Sequence, residues 1–261
     1  MVIQTVARTH RLLPFAISNK TIADAMFQDS TNSHNFKRID QTSALFNSSH
    51  SIKELQQIPS WRQHNITQPY NQLEKLYQHA YPAQQELNIL LEAAALVSHS
   101  QAFLPGIKKT KNALKQKIAT ELRGNVNKLT DVVRGSVVAT NISDLVKAYN
   151  YLAQYCDIVR VKNRFDTPAV SGYRDIKVLV RLSNSGLIAE IQLHLEAIAE
   201  IKNGEEHDIY EAIQKIERIS IIKRRPLDDI EKMQIKRLQN KSQALYAKAW
   251  QTYTQPFNLA S

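Results

Sequence analysis

Nine residues combine charge, aromaticity and spacing in a way that suits phosphate chemistry. Arg160 and Lys162 lie two apart, Tyr173, Lys177 and Arg181 recur every fourth residue, and Glu190, Gln192 and His194 alternate with apolar neighbours. Residues two apart on a strand share a face. One surface can therefore carry all eight, and Asp131 can add a second carboxylate from an earlier strand. Guanidinium and ammonium groups suit phosphate oxygens. A phenol ring can stack on a base. A carboxylate can hold a hard divalent cation such as Mg²⁺ or accept a proton. The same pattern also describes the wet face of an antiparallel sheet, where Lys, Arg, Glu and Gln are ordinary. His194 and His207 singly suit surface or hydrogen-bonded positions. The sequence has no zinc-type Cys/His spacing, no GxGxxG, no GxxxxGK[ST] and no serine nucleophile elbow.

These side chains need strands to aim them. Ser171–Glu196 reads as a hairpin: Ile176, Val178, Val180 and Leu182 point one way, and after Ser183–Gly186 so do Leu187, Ala189, Ile191, Leu193 and Leu195. Two further β-branched runs, 129–140 and 156–165, read as strands. Helices are expected over 83–103, over the basic run 106–122, and over 143–155 with Ser143 as N-cap. Two more follow the hairpin, broken at Asn203-Gly204, and the last has Pro226 near its first turn. The order predicts an α+β (mixed α/β) fold with a mixed sheet of about five strands flanked by helices. Residues 1–80 are rich in Gln, Asn and Ser and read as a weakly structured or small helical extension. Residues 81–225 form the expected domain, and 226–261 a charged C-terminal helix.

Composition narrows the setting. The chain has 261 residues, 43% of them hydrophobic, which suffices for one sizeable core. Lys and Arg number 34 against 24 Asp and Glu, a net charge of +10 that favours anionic partners. The single cysteine, Cys156, excludes an intrachain disulfide. No apolar run approaches the ~18 residues of a membrane span, and the N-terminus is a poor signal peptide. A cytoplasmic location is the expectation.

The order and spacing resemble the synthetase domain of RelA/SpoT-type alarmone synthetases, in a divergent single-domain branch like the small synthetases and their toxin relatives. "IKKTKNALKQK" resembles the family's Arg-x-Lys-Ser loop and distal lysine, with Lys109, Thr110 and Lys117 in place and Ile107 where the Arg stands. "DVVRGS" resembles Asp-x-x-Gly-x-Arg and keeps Asp131, with Arg134 and Ser136 replacing the Gly and Arg. "RVKN" resembles Arg-x-Lys-Asp, with Asn163 for Asp. "PAVSGY" keeps the Gly-Tyr, followed by Asp175 and Lys177 where Ser and His stand. "EIQ" is kept, with His194 for the following Arg, and "HDIY" resembles His-x-x-Tyr at His207 and Tyr210. The resemblance covers about 85–218.

It implies a nucleotidyltransferase-like synthetase fold and an Mg²⁺-dependent pyrophosphokinase. Such an enzyme moves pyrophosphate from ATP to the 3′-hydroxyl of a nucleotide, a guanine nucleotide among them, or of an RNA end such as tRNA. Glu190, Asp131 and Gln192 take the catalytic places, and Asp131 and Glu190 the metal. Lys109, Lys117, Arg160 and Lys162 take the ATP phosphates. Tyr173, Lys177, Arg181 and His194 take the acceptor, Tyr173 by stacking on its base. The alternative is the same fold kept without catalysis, binding nucleotide, RNA or a protein partner.

Overall fold

The computed structural model describes residues 40–107 and 111–255. In chain order it contains α1 (Asp40–Gln57), β1 (Trp61–Arg62), α2 (Leu73–Val97), β2 (Gln101–Phe103) and α3 (Lys111–Thr120). Then come β3 (Arg134–Ala139), α4 (Ile142–Tyr155), β4 (Asp157–Asn163), β5 (Ile176–Arg181) and β6 (Ile188–Leu195). The chain continues through α5 (Glu196–Asn203), α6 (Glu205–Ile222) and α7 (Asp229–Thr254). The fold is α+β, as the element order predicts. The sheet has six strands in the order β1-β4-β5-β6-β3-β2. All neighbours are antiparallel except β3 and β6, which run parallel. The two strands not foreseen in the sequence, β1 and β2, are two and three residues long.

The alternation of the hairpin decides the layering. Val178 on β5 faces Ile191 on β6, and Ile191 lies beside Gly135 on β3. These and their same-parity neighbours bury against Leu87 and Leu91 of α2 and Leu145 and Leu152 of α4 in one core. The helix comes very close at Gly135, where a Cβ would run into Leu91. The opposite parity carries Lys177 and Gln192, which are register partners, together with Glu190 and His194. The polar face expected from the sequence is therefore one face of the sheet, flanked by α5.

Three boundaries differ from expectation. The start foreseen at 81 falls inside α2, whose Leu73, Leu76 and Ala80 join the main core, as do Leu55 and Ile58 upstream. The N-cap of α4 is Asn141 rather than Ser143, since Asn141 Oδ1 accepts the Asp144 N–H at 2.9 Å. The last helix starts after Pro226, through a capping box between Asp228 and Glu231. The break at Asn203-Gly204 is present, with Gly204 between α5 and α6. Among the described residues no helix is long and apolar enough to cross a membrane.

Candidate functional site

Glu190 sits in the middle of the polar face, and only 9% of it is exposed. Lys177 Nζ donates to Glu190 Oε2 at 2.8 Å. Gln192, the register partner of Lys177, is served by another cation: Lys202 of α5 donates to its Oε1 at 2.9 Å. Arg134 on β3 lies opposite Glu190 in the parallel ladder. Glu190, Gln192, Lys202 and Arg134 border a cavity of about 690 Å³ between β2, β3, β6 and α5, also lined by Phe103, Ser136 and His194.

Asp131 lies three residues before β3, in the loop rather than in the strand, and is buried. Lys117, near the end of α3, donates to Asp131 Oδ2 at 2.7 Å. Burial pulls the Lys117 ammonium down, but the bond to Asp131 and its charge outweigh burial and leave the pKa raised, with Glu190 adding to the effect. Lys117 thus feels both carboxylates. An expected phosphate ligand and an expected metal ligand neutralise each other here.

Tyr173 is not a free stacking platform. Its hydroxyl lies 2.9 Å from Asp175 Oδ2 and 2.7 Å from His194 Nε2. Its ring meets Tyr246 of α7 edge-on at 5.6 Å, while Arg164 and Lys202 stand 5.6 and 6.0 Å from its centroid. Asp175 is fully buried and ion-pairs with Arg164. His194 is 2% exposed. Burial pushes its pKa well below the ordinary range, and the charges of Lys202, Arg164 and Lys177 push it further. Asp175 and His194, two departures from the family motif, therefore meet on the same tyrosine.

The remaining expected residues lie elsewhere. Arg160 and Lys162 share the polar face but line a second cavity of about 600 Å³, with Trp61, Arg62 and Arg164, at the β1–β4 edge. Lys162 is pushed down, first by the Arg164 charge and then by burial and Arg160, so this cluster repels itself. Arg181 lies four residues along β5 from Lys177, roughly 13 Å away, and pairs with Asp157 at 3.4 Å. Lys109 lies outside the described residues. Asn163, in the place of the family's Asp, is a structural anchor: its Nδ2 donates to Leu55 O and Ile58 O, and its Oδ1 accepts the Phe165 N–H. His207 and Tyr210 are exposed on α6 and line none of these cavities. Several C-terminal cations suited to RNA already hold acids: Arg225 with Glu231, Lys232 with Asp229, and Lys241 with Glu205.

Lys202, Arg134 and Arg164 were not foreseen. Lys202 looks like any lysine on an amphipathic helix, and Arg134 reads as an intruder in a glycine's place. Only the parity of β3, which puts Arg134 and Ser136 on one face, carried a signal. Among the described residues no three His, Cys, Asp or Glu side chains converge as a metal cage. Two carboxylates whose charges both act on Lys117 still suit magnesium, which takes one or two carboxylates and completes its shell with water and substrate phosphates.

No protein-family model matches the sequence, and no curated protein does. Solved structures do. A chain in the crystal structure of the complex between the type VI effector Tas1 and its immunity protein is similar over 68% of this chain and 96% of that one, at 18% identity and a TM-score of 0.51. Small alarmone synthetase 2 from Bacillus subtilis matches over 69% and 91%, at 19% identity and a TM-score of 0.46. A GTP pyrophosphokinase family protein from Streptococcus pneumoniae matches over 68% and 91%, at 18% identity and a TM-score of 0.47. The architecture is the RelA/SpoT-like fold that the motifs led us to expect, and at these identities the likeness is one of fold alone.

Proposed function

We propose that the chain is an Mg²⁺-dependent pyrophosphotransferase, moving a pyrophosphoryl group from ATP to a hydroxyl of an acceptor nucleotide. One observation carries the reading. Glu190 on the polar face and Asp131 in the loop before β3 each hold their own lysine, Lys117 feels the charge of both, and Glu190 opens into a cavity of nucleotide size bordered by further cations. Phosphoryl transfer needs little covalent help from protein. It needs positive charge on the phosphates and a held acceptor oxygen.

Lys202 and Arg134 supply that charge in the cavity wall, Lys177 and Lys117 bring further charge to Glu190 and Asp131, and Gln192 is available to orient a hydroxyl or ribose. Asp131 and Glu190 would hold the magnesium ion, which when bound spreads the negative charge of the transferring group. Arg160 and Lys162 serve anionic groups at the far end of the same face. An RNA 3′ end is the second acceptor class.

The test is labelled ATP with Mg²⁺ and a panel of GDP, GTP, ATP and tRNA. AMP release that depends on an acceptor is expected. ATP binding without AMP release from any acceptor would favour the second reading, a nucleotide-binding module. The engaged hydroxyl and crowded ring of Tyr173 are the observation on that side.

A further inference from the structure

Arg164, Asp175, Tyr173 and His194 form one line of polar contacts beneath the cavity. Arg164 ion-pairs with Asp175 through Oδ1. Beside that guanidinium Asp175 is a carboxylate, which only accepts hydrogen bonds. The Tyr173 hydroxyl has one proton and two neighbours, Asp175 Oδ2 at 2.9 Å and His194 Nε2 at 2.7 Å. Were the proton aimed at His194, a phenol lone pair would face a carboxylate oxygen at hydrogen-bonding distance with no proton between them. The proton therefore goes to Asp175. The phenol oxygen then has only lone pairs left for His194, so Nε2 carries a hydrogen. Burial and the charges of Lys202, Arg164 and Lys177 keep the ring neutral. A neutral imidazole protonated at Nε2 has a bare lone pair at Nδ1. Nδ1 has no hydrogen-bond partner among the described residues, and it is not sealed off. His194 lines the 690 Å³ cavity.

We infer that His194 reads the ligand in this cavity: its Nδ1 lone pair receives a hydrogen-bond donor, a ribose hydroxyl or a base amino group, and turns away a phosphate oxygen. This rests on the cavity being a nucleotide site, as proposed above. Lys202 and Arg134 then take the anionic part of the ligand, while His194 takes a neutral part that donates. Tyr173 and Asp175 are positioning residues, because they act on the ligand only by fixing the imidazole.

The test is nitrogen NMR on the full chain labelled with ¹⁵N at histidine. The signals missing from a His194→Gln variant identify His194. A protonated Nε2 and a bare Nδ1 are expected at neutral pH, and a mixture of tautomers in Tyr173→Phe, where Nε2 loses its acceptor. The probes are GDP, inosine diphosphate, which lacks the base amino group, and 2′,3′-dideoxy-GDP, which lacks both ribose hydroxyls. GDP should move the bare Nδ1 signal. The analogue without the recognised donor should leave it in place and bind about tenfold more weakly, and a His194→Phe variant should lose that discrimination. A hydrogen on Nδ1, an imidazolium at neutral pH, a GDP-saturated chain with Nδ1 unmoved, or failure of all three probes to bind would each overturn the inference. GDP that moves Nδ1 without any acceptor-dependent AMP release would overturn the transfer reading and leave this one standing.

Discussion

Lys177 reaches diagonally across the β5–β6 pair to Glu190, 2.8 Å away, and not to Gln192, its partner in the ladder. The diagonal leaves Gln192 to Lys202 and so ties α5 to the sheet at the cavity wall. In the proposed reaction Glu190 would exchange this lysine for the magnesium ion, and the freed ammonium would be available to a polyphosphate.

Glu190→Gln is the direct test of the chemistry. Glutamine keeps the shape and can still accept from Lys177, but it gives up the charge. Acceptor-dependent AMP release should fall by about a hundredfold or more, while circular dichroism and the melting temperature stay close to wild type. A variant as active as wild type would show that Glu190 has no part in the transfer.

Asn163→Asp should damage the fold and not the site. Asn163 is 1% exposed, and its amide nitrogen donates to two carbonyls at the C-terminal end of α1, Leu55 O and Ile58 O. A carboxylate oxygen in that place would face Leu55 O and Ile58 O with no proton to offer. We expect a loss of about 3 kcal/mol or more in urea unfolding. Unchanged stability would mean that Asn163 does not anchor this segment.

A chain beginning at residue 81 should fail to fold. It would lack Leu55, Ile58, Leu73 and Leu76, each no more than 8% exposed, at about 2 kcal/mol or more apiece. Total stabilities are of order 5–15 kcal/mol. A chain beginning at residue 40 should keep a cooperative melt and protease resistance. A folded 81–261 fragment would show that α1 and the first turns of α2 are accessory.

Cys156 gives a pH-dependent prediction. Burial pushes its thiol up to about 11. Between its ordinary pKa and that value the unfolded chain binds fewer protons than the folded one. The stability contributed is complete below the ordinary thiol range and is lost as pH rises through about 11. A disulfide reagent at pH 8 should label the native chain slowly and the urea-unfolded chain fast. Cys156→Ala should flatten the alkaline fall in stability. Fast labelling of the native chain would contradict the burial argument.

The parity of the hairpin was legible because Ile176, Val178 and Val180 alternate with Lys177 and Arg181, broken only by Leu179, and parity alone put Lys177, Glu190, Gln192 and His194 on one face. How deeply that face is buried was not legible. Tyr173 is covered by Tyr246, more than seventy residues later, and Asp175 by Arg164 from the preceding loop. β1 and β2 are too short for an alternation to show. Leu55 and Ile58 stand in a polar stretch whose composition hid two core residues. The motif carried Asp131 and Glu190 to one neighbourhood, but spacing could not show that each would arrive with a lysine.

The clasp on Tyr173 comes from α7. Gly172 adopts a φ of +83° that favours glycine, a Cβ there would crowd Gln243 and Tyr246 at 3.3 Å, and Gln243 Nε2 donates to Val170 O at 2.6 Å. During synthesis every strand of the sheet leaves the ribosome before this helix exists. The nascent sheet can pair, but the loop before Tyr173 has nothing to lean on until residue 246 has emerged. The covering of Tyr173 is therefore completed late, and a ribosome-stalled chain ending before α7 would carry the sheet with Tyr173 uncovered.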